Sequence, residues 1–243
     1  MNKLEHLDEF QELLANYQIS ASTETQLSTA RLAVLLAPTA GGRNTIMREL
    51  LKTGRYHYII SDTTREKRIN DGVLERDGVE YWFKTEEEVL TGIREGRYIE
   101  AEIIHGQQVS GTNSSELEVA ESQQQVAITD VDLAGAQNVA QLKPDAFVIL
   151  VLPPSFAEWQ RRLKLRGAME SGEYRRRLES AMIIFGLPFR HDYFQLVIND
   201  KVDHAAAQIE AIIQGKPDKQ LRELALELCK QLRAETAKFL QTI

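Results

Sequence analysis

Residues 31–38, RLAVLLAP, form a continuous apolar run that ends at Pro38 and leads through a Gly-containing turn into the helical pattern NTIMRELLKTG. A run of this length without polar alternation predicts a strand buried on both faces. Further short apolar runs, HYIIS, QVAITDVD, DAFVILVLPP and FQLVIND, recur between helical patterns. Parallel neighbouring strands need crossover connections, so this alternation predicts an α/β fold around a mostly parallel sheet. The 243 residues are enough to bury a sizeable core, and 43% hydrophobic against 27% charged residues excludes a disordered chain.

The ends of the chain read differently. Leu4, Leu7, Phe10, Leu13, Leu14 and Tyr17 recur at helical spacing, which predicts an amphipathic helix over roughly the first 18 residues. The Ser/Thr-rich segment ISASTETQLSTA then reads as a connector. From Pro217 onward the chain is helical again, with Leu221, Leu224, Leu228, Leu232 and Leu240 as its apolar stripe. The expected organisation is therefore an N-terminal helix and connector over 1–30, a main domain over 31–214, and a helical extension over 215–243. Within the main domain, shorter extended segments and turns over about 62–112 read as an insertion at one edge of the sheet.

Charge and cysteine content narrow the class further. A net charge of −7 argues against a nucleic-acid binder, which needs a dominant basic face. It leaves room for a small phosphorylated ligand held by a few grouped arginines. Cys229 is the lone cysteine, so no intramolecular disulfide forms, and its apolar surroundings predict a buried small residue. The charged N-terminus has no secretory signal, and no apolar stretch reaches the length of a membrane span. A cytoplasmic protein without membrane contact is expected.

The turn after the first strand is compared with the phosphate-loop pattern G-x-x-x-x-G-K-[ST], whose glycines let backbone N–H groups encircle phosphate oxygens. The pattern falls on Ala37, Gly42, Arg43 and Asn44, with Gly41 inside it and Thr45 one residue later. Only Gly42 matches strictly. Arg43 keeps the positive charge of the lysine, though a planar guanidinium is not interchangeable with a compact ammonium. Taken alone, a Gly-Gly turn before a helix is an ordinary α/β feature.

Downstream, a series of segments follows in a fixed order: SDTTREKR, DGVEYWF, EGRYIEAEIIHG, SGT, TDVDLAGAQ, LPPSFAEWQRRLKLRG, RRRL and VINDKVDHA. In that order they resemble the guanylate kinases, which transfer phosphate from ATP to GMP. The resemblance covers roughly residues 31–214. It implies a P-loop NTPase-like parallel sheet flanked by helices, a nucleotide-monophosphate-binding insertion, and an Arg-rich lid over about 161–178.

The same resemblance implies residue roles. Ser61, Arg65, Arg68 and Tyr81 would surround the GMP phosphate, with Glu75 at a further acidic position. Paired guanidinium forks and hydroxyls suit a phosphate, whereas any one of these arginines alone reads as a surface ion pair. Glu100, Thr112 and Asp132 would read guanine, a carboxylate accepting from its N1–H and 2-amino group. Where the family usually has a tyrosine before its glycine–threonine step, this chain has Ser110.

Asp130 and Asp132 stand two apart at the end of a predicted strand and so share a face. Asn44 and Asp130 would serve Mg²⁺, which enters with ATP. Ala37, Gly41, Gly42, Arg43, Asn44, Thr45 and Asn199 would bind ATP. Arg166 and Arg177, eleven residues apart in a strongly basic stretch, would join Arg43 at the transferring phosphate.

Two functions stay open on these residues. One is a guanylate kinase acting on GMP and Mg·ATP. The other is a GMP-binding or protein-interaction module impaired by a phosphate loop that has lost its first glycine, its lysine and its hydroxyl residue. A kinase for another nucleotide is the weaker alternative, because Glu100 and Asp132 remain. The terminal helices, outside the resembled region, are candidates for self-association or a protein partner.

Overall fold

The computed structural model describes residues 3–70, 72–165, 167 and 170–243. In chain order the first elements are α1 (Leu7–Ala15), α2 (Ala21–Thr29), β1 (Leu32–Leu36), α3 (Arg43–Leu51), β2 (Tyr56–Tyr58) and β3 (Asp62–Thr63). There follow β4 (Ile69–Asn70), β5 (Val73–Leu74), β6 (Trp82–Phe83), α4 (Glu86–Arg94), β7 (Tyr98–Ile104), β8 (Gln108–Asn113) and α5 (Ser115–Ser122). The chain continues through β9 (Val126–Asp130), α6 (Leu133–Leu142), β10 (Phe147–Leu152), α7 (Phe156–Leu165) and α8 (Ser171–Gly186). It ends with β11 (Phe194–Ile198), α9 (Val202–Ile213) and α10 (Lys219–Leu240). These residues divide into two compact units, Met1–Arg31 with His57–Ala127, and Leu32–Tyr56 with Ile128–Ile243.

The five apolar runs become the five strands of a parallel sheet in the order β11-β10-β1-β9-β2. Every residue of β1 is buried, as expected of a strand covered on both faces. Helix α6 packs on β1 and β10, α9 packs on β10 and β11, and α3 packs on α9. Helix α10 packs on α8, α7 and β11, and its buried line is Ala225, Cys229, Leu232 and Thr236. The leucine stripe expected from the sequence is therefore rotated, leaving Leu224 exposed. Burial pushes the Cys229 thiol up to about 12, so it stays protonated and acts as a small apolar residue.

The first unit holds a separate four-stranded mixed sheet in the order β6-β3-β8-β7. Its core gathers Phe10, Val89, Leu90, Ile93, Tyr98 and Val109, with Leu7, Leu13 and Leu14 of the first helix packed against them. The segment read as a connector is helical instead. Ser20 caps α2 by accepting from the Thr23 N–H (3.2 Å), and Thr23 in turn donates to the Gly96 carbonyl (2.8 Å). The helix has little apolar periodicity to announce it, and capping with tertiary contacts decides its structure.

Strand β7 lies at the edge of this small sheet, with its outer backbone met by the N-terminal segment. The Tyr17 hydroxyl donates to the Tyr98 carbonyl (2.5 Å) and accepts from the Tyr98 N–H (2.8 Å). Beneath the strand the Tyr98 hydroxyl donates to the buried Asp62 carboxylate (2.7 Å). Burial, opposed only in part by that bond, pushes the Asp62 carboxyl above the usual carboxylate range. Among the described residues no helix is long and apolar enough to cross a membrane.

Candidate active site

The first cluster of chemistry-bearing residues lies in the small-sheet unit. Arg65 and Glu75 form a buried two-pronged ion pair, Nη1 to Oε2 at 2.5 Å and Nη2 to Oε1 at 2.9 Å. Oε2 also accepts from the Arg68 N–H (2.9 Å), and the Glu75 N–H donates to the Arg68 carbonyl (2.9 Å). Glu75 thus closes the turn that carries both arginines. The ribbon β4–β5 takes up the length between Arg68 and Glu75, with Asn70 paired to Val73 and Gly72 at φ +79°.

Arg65 spends a third donor on the Glu66 carbonyl (2.9 Å), and its guanidinium lies 4.8 Å from the centre of the Tyr81 ring. A hydrogen bond to Tyr81 adds to these, so the guanidinium is held from several sides. A cavity of about 530 Å³ borders the turn and is lined by Lys3, Thr64, Arg65, Lys67 and Arg68 among others. Glu75 was expected as a ligand contact; here it holds Arg65 and Arg68 in place.

Ser61 stands just before β3. Its carbonyl accepts from the Trp82 N–H (3.0 Å). The neighbouring Ile60 N–H donates to Glu116 (2.9 Å), whose buried carboxylate also accepts from the Trp82 indole (3.0 Å) and meets His57 Nε2 (3.0 Å). Sequence reasoning missed Glu116, which lies in an α-helical segment with no motif around it.

Glu100 and Thr112 are directly opposite each other on β7 and β8, and the Thr112 hydroxyl donates to the Glu100 carboxylate (3.4 Å). The two expected guanine readers of this unit are therefore brought together. Ser110 donates instead to Thr63 (3.0 Å) across β3 and β8.

The second cluster lies in the unit of the parallel sheet, at the turn between β1 and α3. Gly42 is the residue before α3, at φ +97°, and a Cβ there would sit 2.1 Å from Asn199 Nδ2. Asn199 is buried and donates that same amide to the Gly41 carbonyl (2.9 Å). The Trp159 indole donates to the Thr39 carbonyl (2.8 Å), and the Gly41 N–H to the Pro38 carbonyl (2.8 Å). With the carbonyls turned outward, no protein acceptor among the described residues meets the N–H groups of Ala40, Gly42, Arg43 and Asn44. Convergent donors at a helix start make an anion site. Ala37 and Thr45 flank it, and Ala40 holds a left-handed φ of +63°.

Gly42→Ala is expected to destabilise the protein by about 1–3 kcal/mol and to weaken binding of any anion at the loop, since it adds strain and pushes Asn199 off the loop. Thermal unfolding and calorimetric ATP titration check this.

Arg162 lies beside the same turn, donating from Nη2 to the Asn199 carbonyl (3.1 Å) and from Nε to Glu158 (2.8 Å). The guanidinia of Arg161 and then Arg162 hold the Glu158 carboxyl down to about 2. Arg162, Gly42, Thr45, Asn199 and Lys201 line a cavity of about 620 Å³, a size that suits a nucleotide. Arg162 was not singled out from the sequence. The signal available was Glu158 four residues before it on a helix.

Arg43 points elsewhere. Its Nη2 meets Asp130 Oδ2 (2.8 Å) and its Nη1 donates to the Val131 carbonyl (2.7 Å). Asp130, expected near a metal with Asn44, is therefore already paired with a cation. A protein-held metal does not fit this donor set. Asp132 caps α6, its carboxylate accepting from the Gly135 N–H (2.8 Å). Arg177 on α8 pairs with Glu173, while Arg166 lies outside the described residues.

Comparisons with known proteins address the assembly of these parts. The family model described as "Guanylate kinase" matches residues 29–216. A guanylate kinase of Corynebacterium diphtheriae is 36% identical over 188 residues, covering 76% of this chain and 95% of that protein. One of Mycobacterium leprae is 34% identical over 192 residues, covering 78% of this chain and 89% of the other. The crystal structure of guanylate kinase from Anaplasma phagocytophilum superposes with a TM-score of 0.53 at 23% identity, over 80% of this chain and 90% of that one, and so supports the fold. With matching segments in order, a matching sheet and a family model spanning most of its length, the chain belongs to the guanylate kinase family.

Proposed function

We propose that the protein is a guanylate kinase, transferring the γ-phosphoryl group of Mg·ATP to GMP to give ADP and GDP. The observation that carries this reading is the turn of Arg65 and Arg68, held by a buried Glu75 that accepts from both prongs of Arg65 and from the Arg68 N–H. Fixing a fork in advance lowers the ordering cost of binding a phosphate. Ser61 and Tyr81 add hydroxyls to the same site. Glu100 and Thr112, paired across β7 and β8, are assigned to reading guanine.

ATP is assigned to the N–H groups of the loop from Ala37 to Thr45, with Asn199 bracing the loop. Phosphoryl transfer demands positioning and charge neutralisation more than a reactive side chain. Arg166 and Arg177 are assigned to charge on the transferring group, Arg162 joins them from its place in the loop cavity, and Arg43 can join them only by leaving Asp130 and the Val131 carbonyl. Mg²⁺ enters with ATP and neutralises charge on its phosphates.

A second reading, a GMP-binding module with impaired turnover, is favoured by the pairing of Arg43 with Asp130 and Val131. In that arrangement the cation standing where the loop lysine belongs is committed to the end of β9. Calorimetric titration separates the base-reading assignment from both. GMP is expected to bind at least tenfold more tightly than AMP, and Glu100→Ala to remove most of that difference. Equal affinity of the variant and the parent for GMP would overturn the Glu100 assignment.

A further inference from the structure

The edge of the parallel sheet carries a cavity that the kinase reading does not use. It has a volume of about 690 Å³ and lies among β11, α9 and the start of α10, with Leu196, Ile198, Ile212 and Leu221 contributing to its walls. That volume falls in the range of small-molecule sites. Helix α10 begins at Lys219, beyond the family model's end at 216, so this wall is an addition to the common domain. Asp218 fixes the start of the helix by accepting from the N–H groups of Gln220 (2.8 Å) and Leu221 (3.2 Å).

Backbone parity along β11 decides what the cavity presents. The Asn199 N–H donates to the Leu152 carbonyl (2.8 Å), and β11 runs parallel to β10 with Leu152 opposite Ile198. Odd-numbered residues of β11 therefore face β10, and the N–H and C=O groups of Phe194, Leu196 and Ile198 face the free edge. Two of these residues are capped by side chains. Arg222 Nη1 donates to the Phe194 carbonyl (2.7 Å), and the Gln208 amide meets the Ile198 N–H (3.4 Å) and C=O (3.5 Å).

Leu196 lies between the caps and is only 5% exposed. Among the described residues nothing in the protein meets its N–H or C=O. Both groups face the cavity, and a ligand with a complementary donor and acceptor can pair them. The caps on either side stop an added strand from continuing along the edge, so a compact ligand fits better than a peptide. The lining carries both signs of charge, with Asp200 and Asp218 against Lys216 and Arg222, which favours a neutral occupant.

We propose that this cavity is a binding site for a small, neutral, planar heterocycle or cyclic amide. The ligand would offer a donor and an acceptor on one edge to the Leu196 C=O and N–H, with its ring between α9 and the start of α10. The site shares Asp200 with the lining of the loop cavity but none of the residues assigned to GMP or ATP, and it does not rest on turnover.

The test uses the full chain and 7-azaindole, a flat neutral probe with an N–H and a ring nitrogen on one edge. In amide-resolved NMR, 7-azaindole is expected to shift the Leu196 amide saturably, and indole, which lacks the ring acceptor, to bind at least tenfold more weakly. Ala207→Trp, at an exposed position on the cavity wall, is expected to weaken 7-azaindole binding at least tenfold. Ala211→Leu serves as a second filling variant, and the unfolding midpoint of each reports its folding. Equal binding of indole, an unshifted Leu196 amide at saturating probe, no saturable binding, or full binding by both folded variants would each overturn the proposal.

Discussion

Replacing Glu75 by alanine is expected to lower the stability of the folded protein by about 3–5 kcal/mol and to raise the KM for GMP at least tenfold. The stability loss follows from burial: removing the carboxylate leaves the Arg65 guanidinium largely buried without its partner. The KM effect follows from geometry. Glu75 accepts from both prongs of Arg65 and from the Arg68 N–H, so without it both arginines lose their fixed position. Glu75→Gln separates the two consequences, because an amide keeps the shape and some hydrogen bonding but cannot pair the charge. Urea unfolding gives the stability, and initial rates against GMP give KM. An unchanged KM in a folded Glu75→Ala variant would show that the turn does not bind the phosphate.

Arg43→Lys is expected to raise kcat about tenfold or more, about 1.4 kcal/mol of barrier, while lowering stability by about 1 kcal/mol. The planar fork of Arg43 bridges two acceptors at once, Asp130 and the Val131 carbonyl. A lysine ammonium is a single point on a flexible stem and does not reproduce that two-pronged link. It is free to turn toward phosphates held on the loop's N–H groups. Steady-state rates at saturating ATP and GMP, with thermal unfolding of the same samples, check both signs. A lower kcat in the variant would mean that Arg43 already serves the transfer in its present form.

The sheet was legible because its strands are buried on both faces, so β1, β9, β10 and β11 stand out as apolar runs. Helix α2 was not legible, since its Ser/Thr-rich sequence has no apolar stripe and its structure rests on the Ser20 cap and the Thr23 contact with Gly96. The phosphate loop could be placed by motif, but its braces could not. Trp159 reaches Thr39 and Asn199 reaches Gly41 across 120 and 158 residues, distances that no local periodicity encodes. Trp159 reads from sequence as a core residue and is indeed buried, yet its one polar atom holds the loop.

The arginine sites show the same limit. Their grouping suggests a phosphate site from the sequence alone, while the division of labour between an arginine and its holder depends on which carboxylate folds beside it. Glu75 was readable as belonging to the cluster, and only the ribbon β4–β5 explains how it returns to Arg65. Asp130 and Arg43 were each readable as loop chemistry, and their pairing with one another was not.

The most direct test of the kinase reading is a coupled assay for nucleoside diphosphate formation with Mg·ATP and either GMP or AMP. GDP formation from GMP is expected, with little or no product from AMP and a rate that rises in Arg43→Lys. No GDP from either protein, alongside measurable GMP binding, would contradict the kinase and leave the GMP-binding module.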